Sequence, residues 1–134
     1  MQLVSVRIIT NDVNRLVEFY EQVTGLDARR PAEQFAEFVG ASCTLAIGSA
    51  ETMTLFSAGA AVPESNRTAI LEFLVEDVDR DYERLTGLAV APEIVQKPTT
   101  MPWGNRSLLF RDPDGNLVNF FTPLTDDARA RLAR

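Results

Sequence analysis

A chain of 134 residues, 46% of them apolar, is long enough for one domain with a substantial core. Its formal charge of −6 argues against nucleic acid as a partner, and its single cysteine, Cys43, excludes an internal disulfide and suits a reducing cytoplasm. No apolar run approaches the length of a membrane span, the start MQLVSVRIIT lacks a basic-then-apolar leader, and there is no histidine.

The first element is a strand over Leu3–Thr10, in which Val4, Val6 and Ile8 alternate with Ser5, Arg7 and Ile9. Asp12 then caps a helix with the apolar stripe Val13, Leu16, Val17, Tyr20 and Val23, ended by Gly25. Three short strands follow over Phe35–Val39, Cys43–Ile47 and Thr52–Phe56, with Phe35 and Phe38 open to either core or rim. Cys43, placed in a strand, is expected to be a buried, inert thiol. The stretch Ser57–Thr68, rich in turn formers, reads as a linker.

The pattern then restarts. A strand over Ala69–Val75 leads to Asp77, which caps a helix carrying Val78, Tyr82 and Leu85 and ending at Gly87. A strand near Glu93–Gln96 and a proline-punctuated loop precede a hairpin of Ser107–Phe110 and Leu117–Phe121. Pro113 and Gly115 suit the turn between them, and Asp112 and Asp114 can bind local amides. Asn11-Asp12-Val13-Asn14-Arg15 aligns with Glu76-Asp77-Val78-Asp79-Arg80 at an offset of 65 (76 − 11). The same offset sets Ser5 over Ile70, Arg7 over Glu72, Thr54 over Asn119 and Leu55-Phe56 over Phe120-Phe121. Two tandem βαβββ modules are the natural reading: module 1 over about 1–57, a linker over 58–68, module 2 over about 69–123 and a tail over 124–134. That tail reads either as a short surface helix capped by Thr125 or as a frayed end.

These motifs carry a resemblance. Asn11-Asp12-Val13 with Phe19-Tyr20, Val75-Glu76-Asp77-Val78-Asp79, Pro102-Trp103-Gly104 and Phe110-Arg111-Asp112-Pro113-Asp114-Gly115-Asn116 resemble the vicinal oxygen chelate superfamily, the glyoxalase/bleomycin resistance/dioxygenase proteins. The resemblance implies a single α+β domain whose two βαβββ modules form a curved mixed sheet around a cleft, commonly in a homodimer. It also implies a metal site built from the first and last strand of each module. Carried over, those positions fall on Ser5, Thr54, Ile70 and Asn119. Ile70 has no donor, and hydroxyls and amides bind such metals weakly, so the expectation is no metal and no cofactor.

Strand alternation defines what would line the cleft instead. Opposite the helix-packed face stand Ser5, Arg7, Thr54, Phe56, Ile70, Glu72, Asn119 and Phe121, a mixture of apolar walls and a few polar groups. Arg7 and Glu72 are equivalent in the two modules and read either as an ion pair or as groups serving a ligand. Trp103, in the loop before the final hairpin, is a further candidate for lining the pocket.

Two functional readings remain. One is a metal-free protein that sequesters a hydrophobic or aromatic small molecule, as the antibiotic-resistance members of the superfamily do. The other is an unconventional metal-independent lyase or isomerase using Glu72 as base and Arg7 to stabilise an anion. Either leaves the expected partners as a small molecule and a second copy of the chain, with neither nucleic acid nor membrane.

Overall fold

Asp12 begins the first helix as its sequence context requires: its Oδ1 accepts a hydrogen bond from Arg15 N at 3.0 Å. In the computed structural model, which describes residues 1–133, the chain divides into two units, Met1–Asn66 and Arg67 onward. In unit 1, strand β1 (Ser5–Thr10) leads into helix α1 (Val13–Thr24), which ends at Gly25 with φ 71°. That left-handed conformation favours glycine. The five residues of the expected apolar stripe are the buried face of α1.

Strands β2 (Arg29–Ala32), β3 (Phe35–Val39) and β4 (Thr44–Ser49) complete a sheet of order β1-β4-β3-β2, with β1 parallel to β4 and the other pairs antiparallel. Register places Val6 and Ile8 beside Leu45 and Ile47, and Phe38 and Ala36 beside those same residues. This is the helix face, where the Tyr20 ring meets Phe38 with centroids 6.1 Å apart. Arg7, Ala46 and Glu37 form one row on the opposite face, and Ile9, Gly48 and Phe35 form the next.

Three expectations for unit 1 need correction. Thr52–Phe56 is not a strand, because Ala50–Leu55 winds into a 3-10 helix. The cause is local: Thr52 Oγ1 donates to Ser49 O at 2.6 Å and Thr54 Oγ1 donates to Glu51 O at 2.7 Å, hydroxyl bonds that compete with a ladder. The last strand of this unit is therefore β4. Secondly, β2 gave no signal, since Arg29-Arg30-Pro31-Ala32 has little strand propensity; it is an edge strand, where proline is tolerated. Thirdly, Cys43 is exposed, just ahead of β4.

Unit 2 repeats the plan. Strand β5 (Ile70–Leu74), helix α2 (Val78–Thr86) and strands β6 (Glu93–Thr100), β7 (Asn105–Arg111) and β8 (Leu117–Pro123) give the sheet β5-β8-β7-β6, with β5 parallel to β8. Asp77 caps α2 by accepting from Arg80 N at 3.1 Å. Under the helix, Phe110 and Phe73 each pack edge-on to Phe120, at 4.9 and 5.6 Å between centroids. Of the stretch read as a proline-punctuated loop, residues 97–100 belong to β6, an edge strand whose register shifts twice before Thr99 and which carries Pro98.

The β7–β8 turn is encoded locally. Asp112 Oδ1 accepts from Asp114 N and Asn116 N, both at 2.9 Å, while Oδ2 accepts from Asn116 Nδ2 at 2.8 Å, and Gly115 has φ 85°. After β8, Thr125 Oγ1 caps helix α3 (Asp126–Leu132) by accepting from Ala128 N at 3.1 Å. Gly104 turns the chain before β7 at φ 93°, and a Cβ there would collide with the Thr125 hydroxyl.

Candidate functional site

The helix-free face of the unit 1 sheet is organised by what its central strand omits. Gly48 in β4 has no side chain; a Cβ there would lie 3.7 Å from Arg7 Cδ and 3.1 Å from Thr52 Oγ1. Ala46, beside Arg7, is also small. Into this space extends the Arg7 side chain, its guanidinium carbon 5.2 Å from the centre of the Phe35 ring and 5.4 Å from that of Phe56. Both distances are within the range of cation–π attraction. Arg7 is exposed, and Phe56 is 68% exposed. Among the described residues Arg7 has no carboxylate or hydrogen-bond partner. A guanidinium carries five N–H donors in one plane, and an arginine stacked on rings keeps those in-plane donors for a ligand.

On the corresponding face of unit 2, β5 and β8 set Glu72 beside Asn119. Asn119 Nδ2 donates to Glu72 Oε2 at 2.7 Å, so the amide orients the carboxylate. Asn119 is only 8% exposed and its Oδ1 has no partner, whereas Glu72, Ile70 and Leu74 are exposed along the edge of the sheet. Phe121 is buried in the next row. Trp103 is 57% exposed in the turn before β7.

The sheet registers revise the internal equivalences. Arg7 pairs with Ala46, and Glu72 pairs with Asn119, so the counterpart of Asn119 is Ala46, at an offset of 73 (119 − 46). The offset of 65 holds through the first strand and the helix start, falls to 62 (87 − 25) at the helix end because α2 is shorter than α1, and then rises as β6 and β7 are longer than β2 and β3. Thr54 thus leaves the position assigned to it, and Phe56 is not the counterpart of Phe121; Gly48 is. Phe56 nevertheless reaches the Arg7 guanidinium from beyond the strand. Phe35, left open between core and rim, lies on the helix-free face. Its lateral pairing with Gly48 gives the reason, but a register between strands distant in sequence is not visible in either strand alone.

The family's metal positions therefore fall on Ser5, Ala46, Ile70 and Asn119. Two of these lack any donor, Ser5 offers only a hydroxyl, and Asn119 offers only a neutral amide oxygen. This set does not fit a divalent metal of the family type. Among the described residues no three carboxylate or cysteine side chains gather as a metal-binding group elsewhere either.

Comparison with known proteins agrees with this architecture. Residues 2–120 match the model of the Glyoxalase/Bleomycin resistance protein/Dioxygenase superfamily. YraH of Bacillus subtilis is 32% identical over 130 residues, covering 92% of this chain and all of that one. A glyoxalase/bleomycin resistance protein/dioxygenase from Nocardioides superposes with a TM-score of 0.74 at 26% identity, over 94% of this chain and 85% of its own. A family enzyme from Burkholderia phytofirmans shares the fold with a TM-score of 0.80 at 19% identity, over 92% of this chain and 100% of its own. With two βαβββ units in tandem and a family match over most of its length, the chain belongs to the glyoxalase/bleomycin resistance protein/dioxygenase superfamily.

Proposed function

We propose that this chain is a metal-free binding protein of the superfamily, which sequesters a hydrophobic or aromatic small molecule such as an antibiotic. The observation that carries this reading is Arg7, an exposed cation held against Phe35 and Phe56 with no anionic partner among the described residues. Aromatic walls supply the apolar contact and the guanidinium supplies one directional polar contact, the composition of a small-molecule site. The donor set at the family's metal positions supports binding without a metal. We place the protein in the cytoplasm, as a homodimer.

A melting screen against hydrophobic and aromatic compounds tests the proposal. A hit is expected to raise Tm in the native protein, and Arg7→Met and Phe56→Ala are each expected to remove most of that rise while leaving the unliganded Tm close to native. A hit whose shift survives both substitutions would place binding elsewhere. Elemental analysis after dialysis is expected to find less than stoichiometric transition metal, and one tightly held ion per chain would contradict the metal-free reading.

The Glu72–Asn119 pair favours a second reading, a metal-independent lyase or isomerase in which Glu72 is the base. The hydrogen bond at 2.7 Å fixes the carboxylate while leaving its other oxygen for a proton. Under that reading Glu72→Gln abolishes turnover of a bound compound without weakening its binding. Under the sequestration reading the bound compound is recovered unchanged from the native protein.

A further inference from the structure

Each long helix begins beside a surface cavity, and the two cavities occupy equivalent corners of the repeat. The one in unit 2, of 270 Å³, is lined by Asp79, Arg106 and Thr122 among others. These three polar groups are paired internally. Arg106 donates to both carboxylate oxygens of Asp79, at 2.9 and 3.0 Å. Thr122 Oγ1 accepts from Val78 N at 3.1 Å, at the start of α2, and donates to Val75 O at 3.0 Å.

Unit 1 has an arginine and a hydroxyl at this corner but lacks the carboxylate. Its cavity, of 290 Å³, is lined by Asn14, Arg30 and Ser49, with Asp12 and Glu33 also present. Asn14 stands where unit 2 has Asp79, at the offset of 65 (79 − 14), and Ser49 stands where it has Thr122, at 73 (122 − 49). Arg30 donates to Asn14 Oδ1 at 2.6 Å and to Glu33 O at 2.7 Å, both neutral oxygens, and makes no ion pair among the described residues. Ser49 is 7% exposed, and its Oγ has no hydrogen-bond partner among the described residues. A buried hydroxyl without a partner is costly unless something else satisfies it.

We propose that this corner of unit 1 binds a small oxyanion, a carboxylate or a phosphate group, on Arg30, Ser49 and the N-terminus of α1. The ligand supplies the negative charge that Asp79 supplies from within unit 2. Asn14 rather than aspartate leaves the arginine fork without a charged acceptor, and the helix end adds favourable potential. Two carboxylates oppose it. Asp12 Oδ1 is engaged by Arg15 N, and the Glu33 side chain holds the affinity down.

The test is an NMR titration at constant ionic strength, following the backbone amides of residues 13–15 and the Arg30 Nε–H. Sodium phosphate and sodium acetate are the probes, and sodium chloride is the control. At least one oxyanion is expected to give saturable shifts that chloride does not, and whichever saturates identifies the preferred group. Arg30→Met is expected to weaken that binding by about tenfold or more, as loss of a charge-assisted hydrogen bond implies. Asn14→Asp, which reproduces the arrangement of unit 2 and so preserves the fold, is expected to do the same by filling the site from within. Glu33→Gln is expected to tighten it. Shifts no larger than those with chloride, undiminished binding in Asn14→Asp, or weaker binding in Glu33→Gln would each overturn the proposal.

Discussion

Arg106 and Asp79 form an ion pair with a marked electrostatic effect on both partners. The hydrogen bond from Arg106 holds the Asp79 carboxyl below its ordinary pKa, and Asp79 holds the guanidinium above its own. A carboxylate with a depressed folded-state pKa contributes stability that is fully present above the unfolded value, roughly 3.9. That contribution is lost as pH falls through the lower folded value. Asp79 is more than half exposed, so solvent screens the pair and the effect is small. Melting curves between neutral and strongly acidic pH are expected to show Asp79→Asn losing less Tm than native protein at the acid end. Parallel curves for the two proteins throughout would mean that the pair contributes nothing to folding. Nothing in the sequence announced this contact, because the two residues lie on different elements. The capping roles of Asp12, Asp77 and Thr125 were legible, since a cap and the amide it serves are three residues apart.

At the scale of elements, the same distinction between local and distant contacts separates what could be read from what could not. Both long helices and the β7–β8 hairpin follow from short-range chemistry, and they stand where the residues put them. The 3-10 helix at Ala50–Leu55 does not, because β-branched residues read as strand until their hydroxyls find carbonyls three residues back; nor do β2 and the later part of β6, whose prolines hide an edge strand. That one misplacement moved Thr54 and Phe56 off the equivalences assigned to them and gave Asn119 a new counterpart in Ala46, whereas Arg7 and Glu72 kept theirs. Asp112 offers a quantitative check on the hairpin. It is 4% exposed and accepts three hydrogen bonds within the turn. Asp112→Ala strands those donors in a buried place and is expected to cost about 2–4 kcal/mol in urea unfolding, against less than half that for Asp112→Asn, which keeps one acceptor oxygen. Equal losses in the two variants would show that the turn does not depend on these bonds.

For the whole molecule, the proposed homodimer is supported by apolar side chains along β1 and β5, the strands that end their sheets on one side. Val4 just before β1 is 60% exposed, and Leu74 on β5 is 61% exposed. Burying such side chains gains roughly 25 cal/mol per Å² of apolar surface. Light scattering at micromolar concentration is expected to give twice the chain mass, and Val4→Glu with Leu74→Glu to give the monomer; a native monomer would refute the dimer. The opposite sides of the sheets carry a different instruction. Pro31 in β2 and Pro98 in β6 each remove an N–H from a strand that would otherwise offer a regular row of donors to a neighbour. Each sheet is thereby directional with respect to growth. At the crowded concentrations met during synthesis, an extended foreign segment finds the proline-bearing margin a poor template for cross-β stacking, and runaway fibre formation is discouraged along half of the available perimeter.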